Sequence, residues 1–192
     1  MNLVLYTSPT IEPISIDELV AHVGLDDDIL EVEGDDLADA VKDGRETVEN
    51  MTGRALLTQT YDYYLDAFPA DDFIKIPFGS LATVTHIKYT DSDGTQTTMV
   101  VTTEYLVETN GEQCGRIVLP YGVSWPSFTA YPTHPIVIRF TCGWTTAALV
   151  PKTIKRAVKF AAEDSYYHGD RSDVLMPIIK RLLASYRLYD EF

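Results

Sequence analysis

The sequence offers few residues of the types that could do chemistry, and their spacing does not bring them together. The two cysteines, Cys114 and Cys142, stand far apart and form no CxxC pair. Cytosolic thiols normally stay reduced, so two reduced thiols on strands are expected rather than a disulfide. Zinc ligands recur at short, fixed spacings, and the four histidines do not show such a spacing. They are His22, His86, His134 and His168.

Runs of adjacent carboxylates are the next candidates. Asp26-Asp27-Asp28 lacks the alternating ligand positions of a calcium-binding EF-hand loop. Asp71-Asp72 lies in a short turn-like segment, and both runs are interpreted as solvated acidic loops. The sequence also contains no Gly-rich phosphate loop, GxSxG or HExxH motif. It therefore predicts no catalytic residue, no cofactor and no metal, and the chain is expected not to be an enzyme.

Twelve tyrosines raise the possibility of a stacking platform for sugars or single-stranded nucleic acid. Proteins that bind single strands combine such a platform with a positively charged groove, whereas Asp62 and Asp66 flank the candidate strand. Packing in the core and at subunit interfaces is the favoured interpretation, and an aromatic-lined ligand-binding module stays open. The aromatic candidates are Tyr61, Tyr63, Tyr64, Trp125, Phe128 and Tyr131.

The charge and composition of the chain limit its partners. The formal net charge is −14, which argues against binding DNA by neutralising phosphates but not against surrounding DNA without gripping it. No apolar stretch is long enough to span a bilayer, and residues 1–14 do not resemble a signal peptide. The expected location is a cytoplasm, or a particle assembled in one.

Two helices are predicted near the N-terminus. Ser15 and Glu18 have the spacing of a capping box, and the short helix that they begin should end near Gly24. A second helix is predicted from about Asp35 to Thr52, with acidic residues on the faces that its apolar stripe leaves. The stripe is Leu37, Val41, Gly44, Val48 and Met51, and the acidic residues are Asp35, Asp36, Asp39, Asp43, Glu46 and Glu49.

A period of two from Leu57 onward predicts β-strands, with a hairpin turn at Asp91–Gly94. Helical periodicity returns after Gly143, with one helix from Pro151 to His168 and another from Pro177 to Leu188. The predicted fold is α+β, a small helical bundle of two N-terminal and two C-terminal helices with an inserted antiparallel β subdomain. Its parts are residues 1–56, 57–143 and 144–192, which are expected to form one compact subunit.

Several segments together resemble a known family, the head–tail connector (adaptor) proteins of long-tailed bacteriophages and gene transfer agents. The most specific is the E-x-x-T-G-R-A-L-x-T-Q-T-Y run within Val48–Tyr61. The others are Ile14–His22, Leu65–Pro69, Gly115–Val118, Ser124–Pro126, Phe140–Trp144 and Val150–Ala157.

The resemblance implies a structural subunit at the head–tail junction of a virion, assembled in the host cytoplasm. Such subunits form a ring, usually twelvefold, below the portal protein and bind the next neck or tail-terminator protein. DNA passes through the channel without specific binding, and no membrane is involved. Another ring protein of the same neck, such as a tail-completion protein, remains an alternative.

Two sets of residues are expected to serve this role. An acidic channel lining would repel DNA phosphates during packaging and ejection, and the second helix offers Asp39, Asp43 and Glu46 for it. Aromatic residues at the C-terminal end, Tyr186, Tyr189 and Phe192, are candidates for docking onto the portal.

Overall fold

The computed structural model describes residues 2–26 and 28–188 and confirms the α+β fold class. The helices are α1 (Ile16–Val23), α2 (Ile29–Thr52), α3 (Lys152–Tyr166) and α4 (Ser172–Leu183). The strands are β1 (Asn2–Thr7), β2 (Gln59–Leu65), β3 (Phe73–Gly79), β4 (Leu81–Thr90), β5 (Gln96–Thr98), β6 (Leu106–Glu108), β7 (Cys114–Val118) and β8 (Ile136–Cys142).

The described chain divides into two compact units. The helical unit contains residues 9–57 and those from 144 onward, and the β unit contains residues 2–8 and 58–143. Residues 2–8 thus belong to the β unit, although the sequence analysis assigned residues 1–56 to the helical part.

The first two helices begin and end where local side chains satisfy the backbone. The predicted capping box is confirmed, because Ser15 Oγ accepts a bond from the Glu18 N–H and Glu18 accepts one from the Ser15 N–H, both at 3.1 Å. Gly24 ends α1 in the left-handed conformation (φ 81°). Helix α2 starts at Ile29, earlier than the predicted Asp35, and Glu33 interrupts its helical geometry (φ −123°, ψ 21°).

A contact with α3 stabilises this additional first part of α2. The hydroxyl of Tyr166 donates a hydrogen bond to Glu33 Oε2 at 2.5 Å. That bond, together with burial and the Glu33 charge, raises the pKa of Tyr166 to about 12. The sequence does not predict this first part of the helix, because the contact that stabilises it joins Glu33 to a residue more than 130 positions away.

Helices α2 and α3 approach closely at Gly44. A Cβ atom there would lie 2.7 Å from the backbone nitrogen of Ala162 and 2.8 Å from the carbonyl oxygen of Val158. The buried faces of both helices meet in one core, which also receives side chains from α1 and α4. Fully buried members of this core include Leu19, Leu37, Val48, Ile154, Ala157, Val158 and Ile179.

The predicted bounds of the last helix were wrong, since α4 spans Ser172–Leu183 rather than Pro177–Leu188. Pro177 lies inside the helix, where it removes one backbone N–H. Leu175 is buried in the helical core, and its burial holds the turn that precedes Pro177 in place. Beyond α4, the Leu188 N–H donates to the Thr52 carbonyl at 2.8 Å, which directs the chain away from a helical path.

The β unit contains two antiparallel sheets, with strand orders β1-β2-β8-β4-β5 and β3-β7-β6. Strand β8 lies at the centre of the larger sheet, and its residues alternate between buried and half-buried. It pairs with β2 from Gln59 opposite Cys142 to Leu65 opposite Ile136. The predicted hairpin between β4 and β5 is confirmed, with the Gly94 N–H bonded to the Asp91 carbonyl at 3.0 Å.

Strand β1 was not predicted, and its ordering depends on residues distant in sequence. It pairs with β2, and the Tyr6 ring lies over the Arg139 guanidinium at 3.4 Å. Arg139 in turn donates two hydrogen bonds of 2.7 Å to Asp62. Most of β1 is solvent-exposed, and its sequence lacks the alternation that identifies a half-buried strand.

Two glycines of α2 provide a matched test of the α2–α3 contact. Gly44→Ala should lower the free energy of unfolding by about 1–3 kcal/mol, because the added methyl overlaps the α3 backbone. Gly34→Ala should raise it by about 0.5–1 kcal/mol, because alanine is the better helix former and nothing lies within 4 Å of its Cβ position. Urea denaturation of both variants measures the difference, and equal effects would contradict the close contact.

Candidate interaction surfaces

The acidic face of α2 is the first candidate surface. It comprises Asp35, Asp36, Asp39, Asp43 and Glu46, all of which are exposed. The apolar stripe of α2 places them there, because its burial in the helical core turns the opposite side of the helix outward. The three predicted channel-lining residues, Asp39, Asp43 and Glu46, therefore lie on one helix, all exposed.

Glu49, which the sequence analysis grouped with these acidic residues, has an internal role. It accepts bonds from Arg45 at 2.8 Å and from the Leu56 N–H at 2.7 Å. Arg45 is buried and also bonds Glu12 at 2.8 Å. Burial acts to lower the pKa of Arg45, but the carboxylates of Glu49 and Glu12 outweigh it and hold that pKa above its ordinary value.

A cavity of about 430 Å³ lies between the second half of α2, the C-terminal end of α3 and the segment that leads into α4. Its polar lining includes Asp43, Glu46, Asp164 and His168. We call it the acidic cavity. Asp43 is held in place by a hydrogen bond of 2.8 Å from the Ser165 hydroxyl. The sequence does not reveal this site, because its residues come from helices that are distant in sequence.

Asp164 is the buried member of the acidic cavity, with only 8% of its surface exposed. Its Oδ2 accepts a hydrogen bond of 2.6 Å from the Ser172 hydroxyl. Its Oδ1 has no hydrogen-bond partner among the described residues. A buried carboxylate oxygen without a donor is costly, so Asp164 Oδ1 is an acceptor that the fold leaves unused.

The acidic cavity does not have the geometry of a metal site. Within residues 2–26 and 28–188, no group of three or more histidine, cysteine, aspartate or glutamate side chains is placed to hold a metal ion. In the same residues, no helix combines the length and apolar character required to cross a membrane.

Of the three C-terminal residues predicted to dock onto the portal, the structure describes one. Tyr186 is half-buried against the helical core, and its carbonyl accepts a bond from Arg54 Nε at 2.5 Å. It therefore has a packing role that the sequence analysis did not assign to it. Tyr189 and Phe192 lie outside the described residues.

The aromatic residues proposed as one stacking platform are distributed over separate contacts. Tyr61 packs against Phe78 and Phe140, while Tyr64 packs against His134. Tyr63 is buried. A second cluster forms around Phe68, whose ring stacks on Trp125 at 5.0 Å with an angle of 3° between the rings and which also contacts Phe128. The face of Trp125 that stacks on Phe68 is thus already occupied.

Comparisons with known proteins identify the fold. No protein family and no curated protein matches the sequence. A chain in the neck of an empty gene transfer agent (GTA) particle, computed with C6 symmetry, matches with a TM-score of 0.81 and 21% identity, over 100% of this chain and 98% of that chain. A chain in the virion of a native GTA particle gives 0.79 and 23%, with the same coverage. A chain in the neck of a native GTA particle, computed with C12 symmetry, gives 0.78 and 20%, again with the same coverage. The likeness therefore covers the whole chain and shows that it shares their fold.

Proposed function

We propose that this chain is a structural head–tail connector (adaptor) of a tailed phage or phage-like particle, without enzymatic activity. In this role it forms a ring below the portal, extends the DNA channel and attaches the tail. The observation that carries the proposal is the match of both units, over the whole chain, to chains in structures of GTA necks and virions. Two of those structures were computed with sixfold and twelvefold symmetry, which supports a ring of copies, with a dodecamer as the expected form.

The sequence resemblance supports the same proposal, because its most specific segment has a definite place in the structure. Val48–Tyr61 contains the end of α2 and the start of β2. Gly53 ends α2 in the left-handed conformation, and Arg54 bonds the Tyr186 carbonyl. Glu49 bonds the Leu56 N–H. The segment thus sets how the chain leaves the helical unit, which a shared architecture would require.

The acidic face of α2 is proposed to line the channel through Asp39, Asp43 and Glu46. Exposed carboxylates repel DNA phosphates, so a lining of this kind would let DNA move without adhering. The exposure of all three side chains supports this assignment. Asp39 is the most informative of them, because Asp43 and Glu46 also line the acidic cavity.

The C-terminal end is proposed to dock onto the portal protein. Short terminal segments commonly bind partners by becoming ordered on the partner surface. Since Tyr186 packs within its own helical unit, it would anchor the segment, and Tyr189 and Phe192 would make the contact. The opposite side of the ring would bind the next neck or tail-terminator protein.

Immunogold electron microscopy tests the proposed function directly. Particles should be labelled intact and also after heads and tails have been separated, because separation exposes a ring that is buried in the neck. Gold at the head–tail junction, or at the broken neck, is the expected result. Gold at fibre tips would favour a ligand-binding module, and absence of the protein from purified particles by immunoblot would overturn the proposal.

Asp39→Lys should slow DNA ejection from assembled particles several-fold, because a lysine in the channel attracts the phosphates that aspartate repels. The rate of dye binding to released DNA measures ejection. Asp17→Lys, at an exposed position of α1, makes the same charge change on another helix and should leave the rate unchanged. Equal rates for Asp39→Lys and the unmodified protein would rule out a lining role for Asp39.

Deletion of residues 189–192 should reduce the number of heads that carry the protein, because the proposed portal contact is lost. Quantitative immunoblotting of purified heads provides the measurement. The truncated chain should retain the thermal stability of the full chain, since it keeps α4, the packed Tyr186 and the Leu188 bond to Thr52. Normal amounts of the truncated protein on heads would refute the docking role.

A further inference from the structure

The charges of α3 are arranged against its own helix dipole. A helix is stabilised by acidic residues in its first turn and basic residues in its last turn, and α3 has neither. Its first half instead carries Lys152, Lys155, Arg156 and Lys159, and its last part carries Glu163 and Asp164. This arrangement does not favour the isolated helix. Departures of this kind from local rules are expected at functional surfaces.

At the basic end, two side chains are available for an outside partner. Lys152 and Arg156 are exposed and one helical turn apart, a like-charge spacing that is unfavourable within a helix. Neither forms a salt bridge with any described residue, whereas Lys159 nearby pairs with Glu18 at 3.4 Å. Arg156 lies 5.6 Å from the ring of Phe160, which helps to hold its guanidinium near the helix surface.

At the other end of α3, the acidic cavity carries negative charge and would be stabilised by a cation. Its lining includes the exposed Asp43 and Glu46. The buried Asp164 retains an oxygen without a donor. A guanidinium suits such a site because its five N–H donors lie in one plane and can reach several carboxylates at once. The carboxylates of Asp43, Glu46 and Asp164 would offer such a group several acceptors.

We propose that the acidic cavity binds the basic end of α3 from a second copy of this chain, with Arg156 entering the cavity and Lys152 at its edge. Within one molecule, Arg156 and Asp164 are separated by roughly 12 Å along the helix axis, so the Arg156 that enters a cavity would come from a second copy. A contact between two different surfaces of the same chain is heterologous, and its repetition forms a ring when the rotation between copies closes. The inference rests on the ring assembly of the proposed function and identifies the residues that join neighbouring copies.

The proposed contact also resolves the two roles of the acidic face of α2. Asp43 and Glu46 would lie at the junction between copies, where a neighbouring cation offsets their charge. Asp39 lies a further turn toward the start of α2, outside the lining of the acidic cavity. It would remain available to line the channel. Variants at Asp39 should therefore affect DNA ejection, whereas variants at Glu46 should affect the contact between copies.

A charge exchange tests the contact. The particles are produced in cells that lack the natural copy of the gene and express a variant in its place. Arg156→Glu should reduce the yield of tailed particles about tenfold or more, because it places like charges together in every copy of the interface. Glu46→Arg should have a similar effect. The double variant Arg156→Glu/Glu46→Arg should restore much of the yield, because each interface regains a pair of opposite charges.

Controls separate this contact from folding and from the proposed function. Lys180→Glu reverses an exposed charge on α4 and should leave the yield unchanged. Thermal melting of Arg156→Glu should match that of the original protein, since Arg156 is exposed. Glu46→Arg should melt slightly lower, because it also removes the 3.3 Å contact with the buried Arg45. Normal yield for Arg156→Glu, or no recovery in the double variant, would overturn the proposed contact while leaving the head–tail role intact. A protein that is absent from the neck would overturn the proposed function instead.

Discussion

The close approach of α2 and α3 at Gly44 is the constraint on which the helical unit depends. Only a residue without a side chain allows the α3 backbone to come this near, as the short distances to Ala162 and Val158 show. The approach brings together apolar stripes from the two ends of the sequence. It also sets Ser165 against Asp43, so the same packing that closes the core creates the acidic cavity. Surface chemistry in this unit is therefore a consequence of core geometry.

Ion pairs in both units position segments whose apolar content is small. In the helical unit, Arg45 holds Glu12 and Glu49, and through Glu49 the backbone that follows α2. In the β unit, Arg139 bonds Asp62 and supports the Tyr6 ring of the exposed β1. Buried pairs contribute little net stability compared with apolar packing, but removal of one partner is costly. Their main effect is thus to select one arrangement of these segments.

The proposed roles follow from charges that the fold neutralises only in part, through pairs such as Arg45–Glu46 and Lys159–Glu18. The acidic face of α2 remains exposed, and α3 carries its charges against its dipole. In a ring, the first would keep DNA from adhering and the second would join neighbouring copies, so both features become understandable at the level of the assembly.

The sequence by itself determined the features that arise from neighbouring residues. These include the capping box at Ser15, the apolar stripe of α2, the strands with a period of two and the hairpin at Asp91–Gly94. Only the tertiary structure decided that residues 2–7 form a strand, that α4 begins before Pro177, and that Asp43 and Asp164 share a cavity. The physical reason is the range of the interactions. Caps, stripes and turns depend on residues within one or two helical turns, whereas β1, the start of α4 and the acidic cavity depend on partners that only packing brings together.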